Sequence, residues 1–337
     1  MAVQFNWLYV GGGTALGKSG YGLGTYWDPE NPLNLPPYTI RIRIPDGQIP
    51  PVQHDGGSYT QVSEYPNIWD YTYPNPDWSY RFGAWPFGNP HPLEVLGSNS
   101  SGITSMQGLL QYKSVTSVHL SKVDSVTDLS YLCRECHKLQ SLQIDGTYVG
   151  SGANTEYMCY QCAALNNLAL DSSLKSTNTG YMFYQNILME TAPSFHTENN
   201  TNMQYMFSGC KALKNVSLYD ASQVQDMRST FYSCTSLQTL PAFNTSSCYM
   251  FESFCEECSS LQRIPLLDLS AISTHEGIMR KMFKNCVNVQ AGALDLYNSA
   301  KNLTSASYLW HSESFRNCGS NTTTGKAELA QIPGDWK

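Results

Sequence analysis

The chain has 337 residues, only 14% of them charged, and a formal net charge of −7. That mild acidity, with no Lys/Arg-rich block, argues against nucleic acid or an anionic membrane as the main partner. No apolar run approaches the roughly 18 residues of a membrane-spanning helix, so none is expected.

Residues 1–37 are irregular in pattern and rich in Gly and aromatics, and are expected to form an extended docking arm. The opening MAVQFNWLYVGGG lacks a basic region and a small-residue cleavage site, so it makes a poor signal peptide. The expectation is a chain that stays where it is made, or leaves the cell by a route such as virion release. Within the arm, Gly12–Ser19 (GGTALGKS) matches the phosphate-loop pattern and follows a strand-like run, Phe5–Val10. That pattern needs a helix immediately afterwards, to aim its N-terminus at phosphate. The next residues, GYGLGTYWDPENP, cannot be a helix. A Gly-rich arm is therefore favoured over a nucleotide hydrolase built on Lys18.

Residues 38–97 read as a small β module, sandwich-like in expectation. Tyr38–Ile44 alternates β-branched and polar residues and meets the turn Pro45-Asp46-Gly47. Further strands are expected around Ser58–Ser63 and Asn67–Tyr73. Before residue 97 lie 13 of the 17 prolines and no cysteine, whereas every cysteine comes later, so a domain boundary is expected near Gly97.

From residue 98 to 325 a spaced anchor recurs. The unit reads aromatic-Met-Phe/Cys-x-x-Cys-x-x-Leu-x-x-aliphatic. Anchors fall at Cys136, Cys162, Asn186, Cys210, Cys234, Cys258, Cys286 and Cys318, in steps of 26, 24, 24, 24, 24, 28 and 32 residues. A period in the twenties with Leu three and six residues after the anchor predicts a leucine-rich solenoid of short strands and helical turns. Leu139, Leu142 and Ile144 are predicted to point inwards, with Ser141, Gln143 and Asp145 outwards. The segment before each anchor is predicted to make a tight helical turn burying Phe183, Phe207, Phe231, Phe283 and Phe315. A degenerate first unit, with Tyr112 as anchor and Leu109 in the Phe position, makes about nine units. The tail at 326–337 (KAELAQIPGDWK) is predicted to fold back as a cap.

Three CxxC pairs, Cys133/Cys136, Cys159/Cys162 and Cys255/Cys258, suggest a zinc ribbon. The repeat explains them more simply, since the first Cys stands where other units have Phe and the second is the anchor. Both then face the core as small hydrophobes, so no metal and no cofactor is expected. The odd total of 11 cysteines favours reduced thiols. Glu256-Glu257 is read as a solvated pair on a turn, and the seven histidines form no recognisable motif. No enzymatic activity is expected.

Units such as Met206-Phe207-Ser208-Gly209-Cys210-Lys211-Ala212-Leu213 resemble the BspA-type leucine-rich repeats, over about residues 95–337. The resemblance implies surface adhesion and binding of host protein or glycan. Together with the poor signal peptide and the Gly/aromatic arm, it leads to the expectation of a non-enzymatic virion surface protein of a phage infecting gut Bacteroidetes, a head or tail decoration or fibre. Its arm would dock to other virion proteins, and it could form a homo-oligomer. A bacterial or protist cell-surface adhesin is the alternative. The expected ligand face is the outward side of successive strands: Ser141, Gln143, Asn167, Asn215, Ser217, Tyr219, Thr239 and Phe243.

Overall fold

The computed structural model describes residues 9–10, 14–15, 35, 39–44, 58–62, 65, 67–72, 93–100, 102–146, 152–305 and 310–337. In the arm, β1 (Tyr9–Val10) pairs antiparallel with β2 (Thr14–Ala15). Lys18, Ser19 and most of the phosphate-loop-like stretch lie outside the described residues.

The strands predicted after the arm are β3 (Thr39–Arg43), β4 (Ser58–Gln61) and β5 (Ile68–Thr72). They do not build a sandwich of their own. With β6 (Leu93–Asn99), β7 (Val115–Leu120), β8 (Ser141–Ile144) and β10 (Asn167–Leu170) they form one seven-stranded sheet, in the order β10-β8-β7-β6-β3-β5-β4. Pairing is antiparallel from β4 to β6 and parallel from β6 to β10. Gly97, the expected boundary, lies inside β6, beside a register shift against β3. The two regions share a core, because Ile40, Ile42 and Ile44 are buried in the same apolar cluster as Val118 and Leu142. Arg41 is buried within the sheet because Asp70, its cross-strand neighbour, takes two of its N–H groups at 2.7 and 2.8 Å.

Beyond β6 the chain coils. Ser117, Ser141 and Asn167 stand in register on neighbouring strands, as do Leu120, Ile144 and Leu170. Leu139, Leu142 and Ile144 are fully buried, while Gln143 is exposed and Ser141 and Asp145 are half-buried. A second, shorter parallel ladder, β9 (Ala153–Asn154) with β11 (Ser176–Asn178), forms another side of the coil. The regular sheet stops after β10. Later units place Pro193, Pro241 and Pro265 where a ladder amide is needed, and proline has no N–H to donate. In these units the inward residue also slips by one. Ile144 is the eighth residue after its cysteine, but Tyr219, Phe243 and Leu267 are the ninth after theirs, and all three are buried. Leu218 and Leu266 are turned out instead, 70% and 64% exposed.

The segment before each anchor is not a helical turn. Its amides alternate. In one coil, those of Met158, Tyr160 and Cys162 close β-turns onto the carbonyls of Thr155, Tyr157 and Cys159. Those of Tyr157, Cys159 and Gln161 reach the next coil, at the carbonyls of Gly180, Met182 and Tyr184 respectively, over 2.7–2.9 Å. Pointing every second N–H along the stack requires left-handed backbone at two residues per coil, as at Tyr157 and Gln161 (φ 56° and 57°). The pair recurs in nine units among the described residues. Each non-glycine residue held this way costs about 1–2 kcal/mol, offset by the axial bonds. The phenylalanines do face inwards, with Phe207 stacked between Phe183 and Phe231 at 5.5 and 5.7 Å.

The anchor has a specific task. The thiols of Cys136, Cys162, Cys210, Cys234, Cys258 and Cys286 donate to the carbonyls of Leu110, Cys133, Phe183, Phe207, Phe231 and Cys255, each in the preceding coil, at 2.9–3.1 Å. Because Cys136 meets Leu110, and Gly108 and Tyr112 are the left-handed pair, the first unit is anchored at Lys113 rather than Tyr112. Leu110, not Leu109, holds the Phe position. That unit has one residue fewer between turn and strand, which hides the true register from simple spacing. Tyr112 is consequently 59% exposed.

The longer steps near the end are inserted helices: α1 (Ala271–Thr274) and α2 (Ala293–Ala300). The tail forms α3 (Thr323–Ala330) and a 3-10 turn at Gly334–Trp336. Trp336 supplies the carbonyl that a further coil would offer to Phe315 N–H, at 2.9 Å, and its ring stacks on His311 at 4.2 Å. The Glu328 carboxylate accepts from the first amides of α2, where the helix dipole favours negative charge. Among the described residues no helix is long and apolar enough to cross a membrane.

Asn186 breaks the thiol series: both polar atoms of its amide are buried without a hydrogen-bond partner. An unsatisfied buried polar group costs about 1–3 kcal/mol. Asn186→Cys should restore the axial bond and raise stability by an amount in that range, read by chemical denaturation. A variant no more stable than the parent would contradict this account of the anchor.

Candidate functional site

Three surfaces carry side chains in arrangements able to bind a ligand. On the strand side, Gln143, Asn167, Asn215 and Thr239 are exposed, and Ser141 and Ser217 are half-buried. Tyr219 and Phe243, expected here as aromatic contacts, are only 3% and 4% exposed. They face the core, Tyr219 against Phe195 and Phe207, Phe243 against Phe231. The hydroxyl of Tyr219 donates to the Pro193 carbonyl, and burial holds its pKa far above the ordinary tyrosine range. Among the remaining polar residues, Asn167 Nδ2 donates along the stack to Ser141 Oγ at 3.0 Å, while Gln143 Nε2 donates within its own coil to Asp145 at 2.9 Å.

Beside them His119 Nε2 lies 2.6 Å from Asp145 and 3.3 Å from Ser121 Oγ. The trio resembles a nucleophile relay in composition but not in geometry. Both partners meet the same ring nitrogen, whereas a relay needs the serine and the carboxylate on opposite nitrogens.

The turn side carries a surface that the strand-based expectation missed. Tyr131, Tyr157, Tyr181 and Tyr205, the first left-handed residue of four consecutive coils, stack at 4.9, 4.6 and 4.6 Å with nearly parallel rings. Tyr160 and Tyr184 form a second row at 4.8 Å. The guanidinium of Arg134 sits 5.3–5.7 Å from the rings of Tyr112, Tyr131, Tyr157 and Tyr160, within cation–π range. All these stacked tyrosines are half-buried. The signal was present in the sequence as a Tyr five residues before each of four consecutive anchors. Partial burial, reinforced by Tyr157 and Tyr205 on either side, raises the pKa of Tyr181 from 10 to about 12.

In later coils the same rows turn from aromatic to charged. Glu256, expected to be solvated, is 8% exposed; it accepts from Ser253 Oγ at 2.6 Å and lies 3.6 Å from Lys284. Lys284 also pairs with Glu313 at 2.7 Å. The second carboxylate, Glu257, accepts from Ser233 Oγ at 2.6 Å. The pair is thus spent in inter-coil contacts.

All 11 cysteines are buried and reduced. Burial raises the thiol of Cys210 to about 12 and those of Cys234, Cys255 and Cys286 well above their ordinary value. Among the described residues no three His, Cys, Asp or Glu side chains are placed to hold a metal ion. The CxxC pairs divide between core packing and the thiol–carbonyl bonds.

The third surface is a cleft of about 400 Å³ beside α1. Gln225, Ser246, Ser247, Tyr249, Ser270 and His275 contribute to its lining. The His275 ring stacks on Tyr249 at 4.9 Å.

Two outcomes check these assignments. A tyrosine whose pKa is raised by folding adds stability that is complete below its unfolded value, about 10, and that is lost as pH climbs through about 12, the folded value at Tyr181. Stability should therefore fall across that interval, and less steeply in Tyr181→Phe. Because the thiolate is the nucleophile, a thiol-specific reagent should leave the folded chain unmodified and label the cysteines once it is unfolded.

No curated protein matches the chain. Among solved structures, a leucine rich cell surface protein from Faecalibacterium prausnitzii A2-165 aligns at 12% identity over 72% of this chain and 94% of its own, with a TM-score of 0.22. Three overlapping stretches, residues 92–192, 172–268 and 201–322, match the family described as Mycoplasma protein of unknown function, DUF285. These stretches take in the stacked coils from β6 to the last anchor and amount to more than half of the sequence, so the chain belongs to that family.

Proposed function

We propose that the chain is a non-enzymatic adhesive surface protein, whose solenoid recognises an extended partner, host glycan or host protein. The observation that carries this reading is the alignment of like side chains in rows along the stack. Tyr131, Tyr157, Tyr181 and Tyr205 form one row, and Ser141 and Asn167 part of another. Rows of tyrosine rings, half-buried and tipped with hydroxyls, and of neutral polar groups present a repeating surface. Such a surface suits a partner that is itself repetitive or extended. The charged side chains of the later turns are used in coil-to-coil pairs, which leaves them a structural task.

In the same reading the protein sits on a virion, with residues 1–37 as the docking arm to other particle proteins and the solenoid facing the host. The Gly/aromatic composition of the arm and the BspA-like units support that placement. Detection of the chain in purified phage particles tests it, and recovery from bacterial envelopes alone would favour the cell-surface adhesin. A nucleotide hydrolase would instead show ATP turnover that disappears in Lys18→Ala.

The purified chain should bind saturably to intact gut Bacteroidetes cells or to polysaccharide extracted from them. Asn167→Arg combined with Gln143→Arg on the strand side, or Arg134→Ala with Tyr160→Ala on the turn side, should weaken binding roughly tenfold, about 1.4 kcal/mol. No saturable binding, or binding untouched by both pairs, would contradict the reading.

A further inference from the structure

The anchor step from Cys258 to Cys286 is 28 residues, against 24 for each of the four steps before it. The extra residues build α1 and the loop carrying His275, which stand off the stack and wall one side of the cleft described above. Insertions in repeat proteins collect on one face, often the binding face.

Every group named in the lining is neutral or a histidine. Ser247 Oγ donates to the Ser222 carbonyl at 2.6 Å, which leaves its lone pairs as acceptors. His275 Nδ1 lies 3.2 Å from the Ala271 carbonyl. Nδ1 also lies 2.7 Å from Thr274 Oγ1, whose hydroxyl donates to the same carbonyl at 3.0 Å, so a proton on Nδ1 satisfies both contacts and leaves Nε2 as an acceptor. The exposed Ser246 and Ser270 hydroxyls and the Gln225 amide add groups that can both donate and accept. The stacked Tyr249–His275 pair makes an aromatic wall beside them.

We propose that this cleft binds a neutral saccharide of one or two rings. A sugar ring offers hydroxyls that both donate and accept, and apolar C–H faces that pack on aromatic rings, and the lining matches both features. With no Lys or Arg among the described residues of the lining, a phosphate, sulfate or sialate finds no charge partner there. The volume lies in the range of small-ligand pockets. This inference deepens the adhesive reading above and rests on it, by naming the ligand class of one site.

The test uses the full chain and a panel of neutral disaccharides with gluco, galacto and manno configuration, alongside sialylated and sulfated counterparts. Binding is followed by saturation-transfer NMR and titration calorimetry. At least one neutral disaccharide should bind, at least tenfold more weakly to His275→Ala and to Gln225→Ala. Both positions are exposed, and unchanged thermal unfolding will show that the variants fold. Lys326→Ala, at an exposed position of α3, should leave that binding intact. No neutral sugar bound, only anionic sugars bound, or affinity retained in both cleft variants would overturn the inference. Saturable cell binding that survives His275→Ala would then show that the adhesive reading stands without the cleft.

Discussion

Every second amide on the turn side of each coil points along the stack instead of closing its own turn, and the rest of the structure follows from that choice. It commits two residues per coil to left-handed backbone, which few side chains adopt without strain. It also makes each coil depend on the next, so the core cannot be assembled from independent layers. The buried carbonyl three residues before each anchor needs a small donor from the following coil, and cysteine supplies one with little polar surface to desolvate. At the far end the tail has to imitate a further coil, and Trp336 does so with its backbone carbonyl and its ring.

The same constraint sets the surfaces. Successive coils bring equivalent side chains to 4.6–4.9 Å, near the stacking distance of aromatic rings, so tyrosines at one repeat position merge into a continuous row. Where the sequence moves from Tyr to Ser, Glu and Lys, the row moves from stacking to ion pairing without changing the backbone. An insertion is the one change the stack cannot absorb internally. It is pushed outwards, and at α1 it leaves a polar cleft beside an otherwise regular wall.

Much of the coil was legible because its signals are periodic. The anchors, the inward phenylalanines and the alternation around Leu142 all occupy the positions that spacing predicts. Three features escaped for identifiable reasons. Tyr219 and Phe243 lie one residue beyond the position that Ile144 fills, and a slip of one reverses the face of a strand residue. The first anchor was misplaced to Tyr112 because its unit matches its neighbours in the strand but is one residue short after the turn. A run that reads as a helical turn became successive β-turns, because the competing axial hydrogen bonds exist only once a neighbouring coil is present. The β module was recognised strand by strand. Its joining to the solenoid sheet depends on β6 serving two partners, a tertiary fact with no local signature. On the candidate surfaces, the outward placement of the polar strand residues was legible and the tyrosine rows were overlooked, since a Tyr before each anchor reads equally well as core.

Amide hydrogen exchange in the central coils tests the axial hydrogen bonding most directly. The account predicts that the amides of Tyr157, Cys159 and Gln161 are protected as strongly as those of the paired strands β8 and β10, and open together with them. Rapid exchange at those three amides, with β8 and β10 still protected, would contradict it.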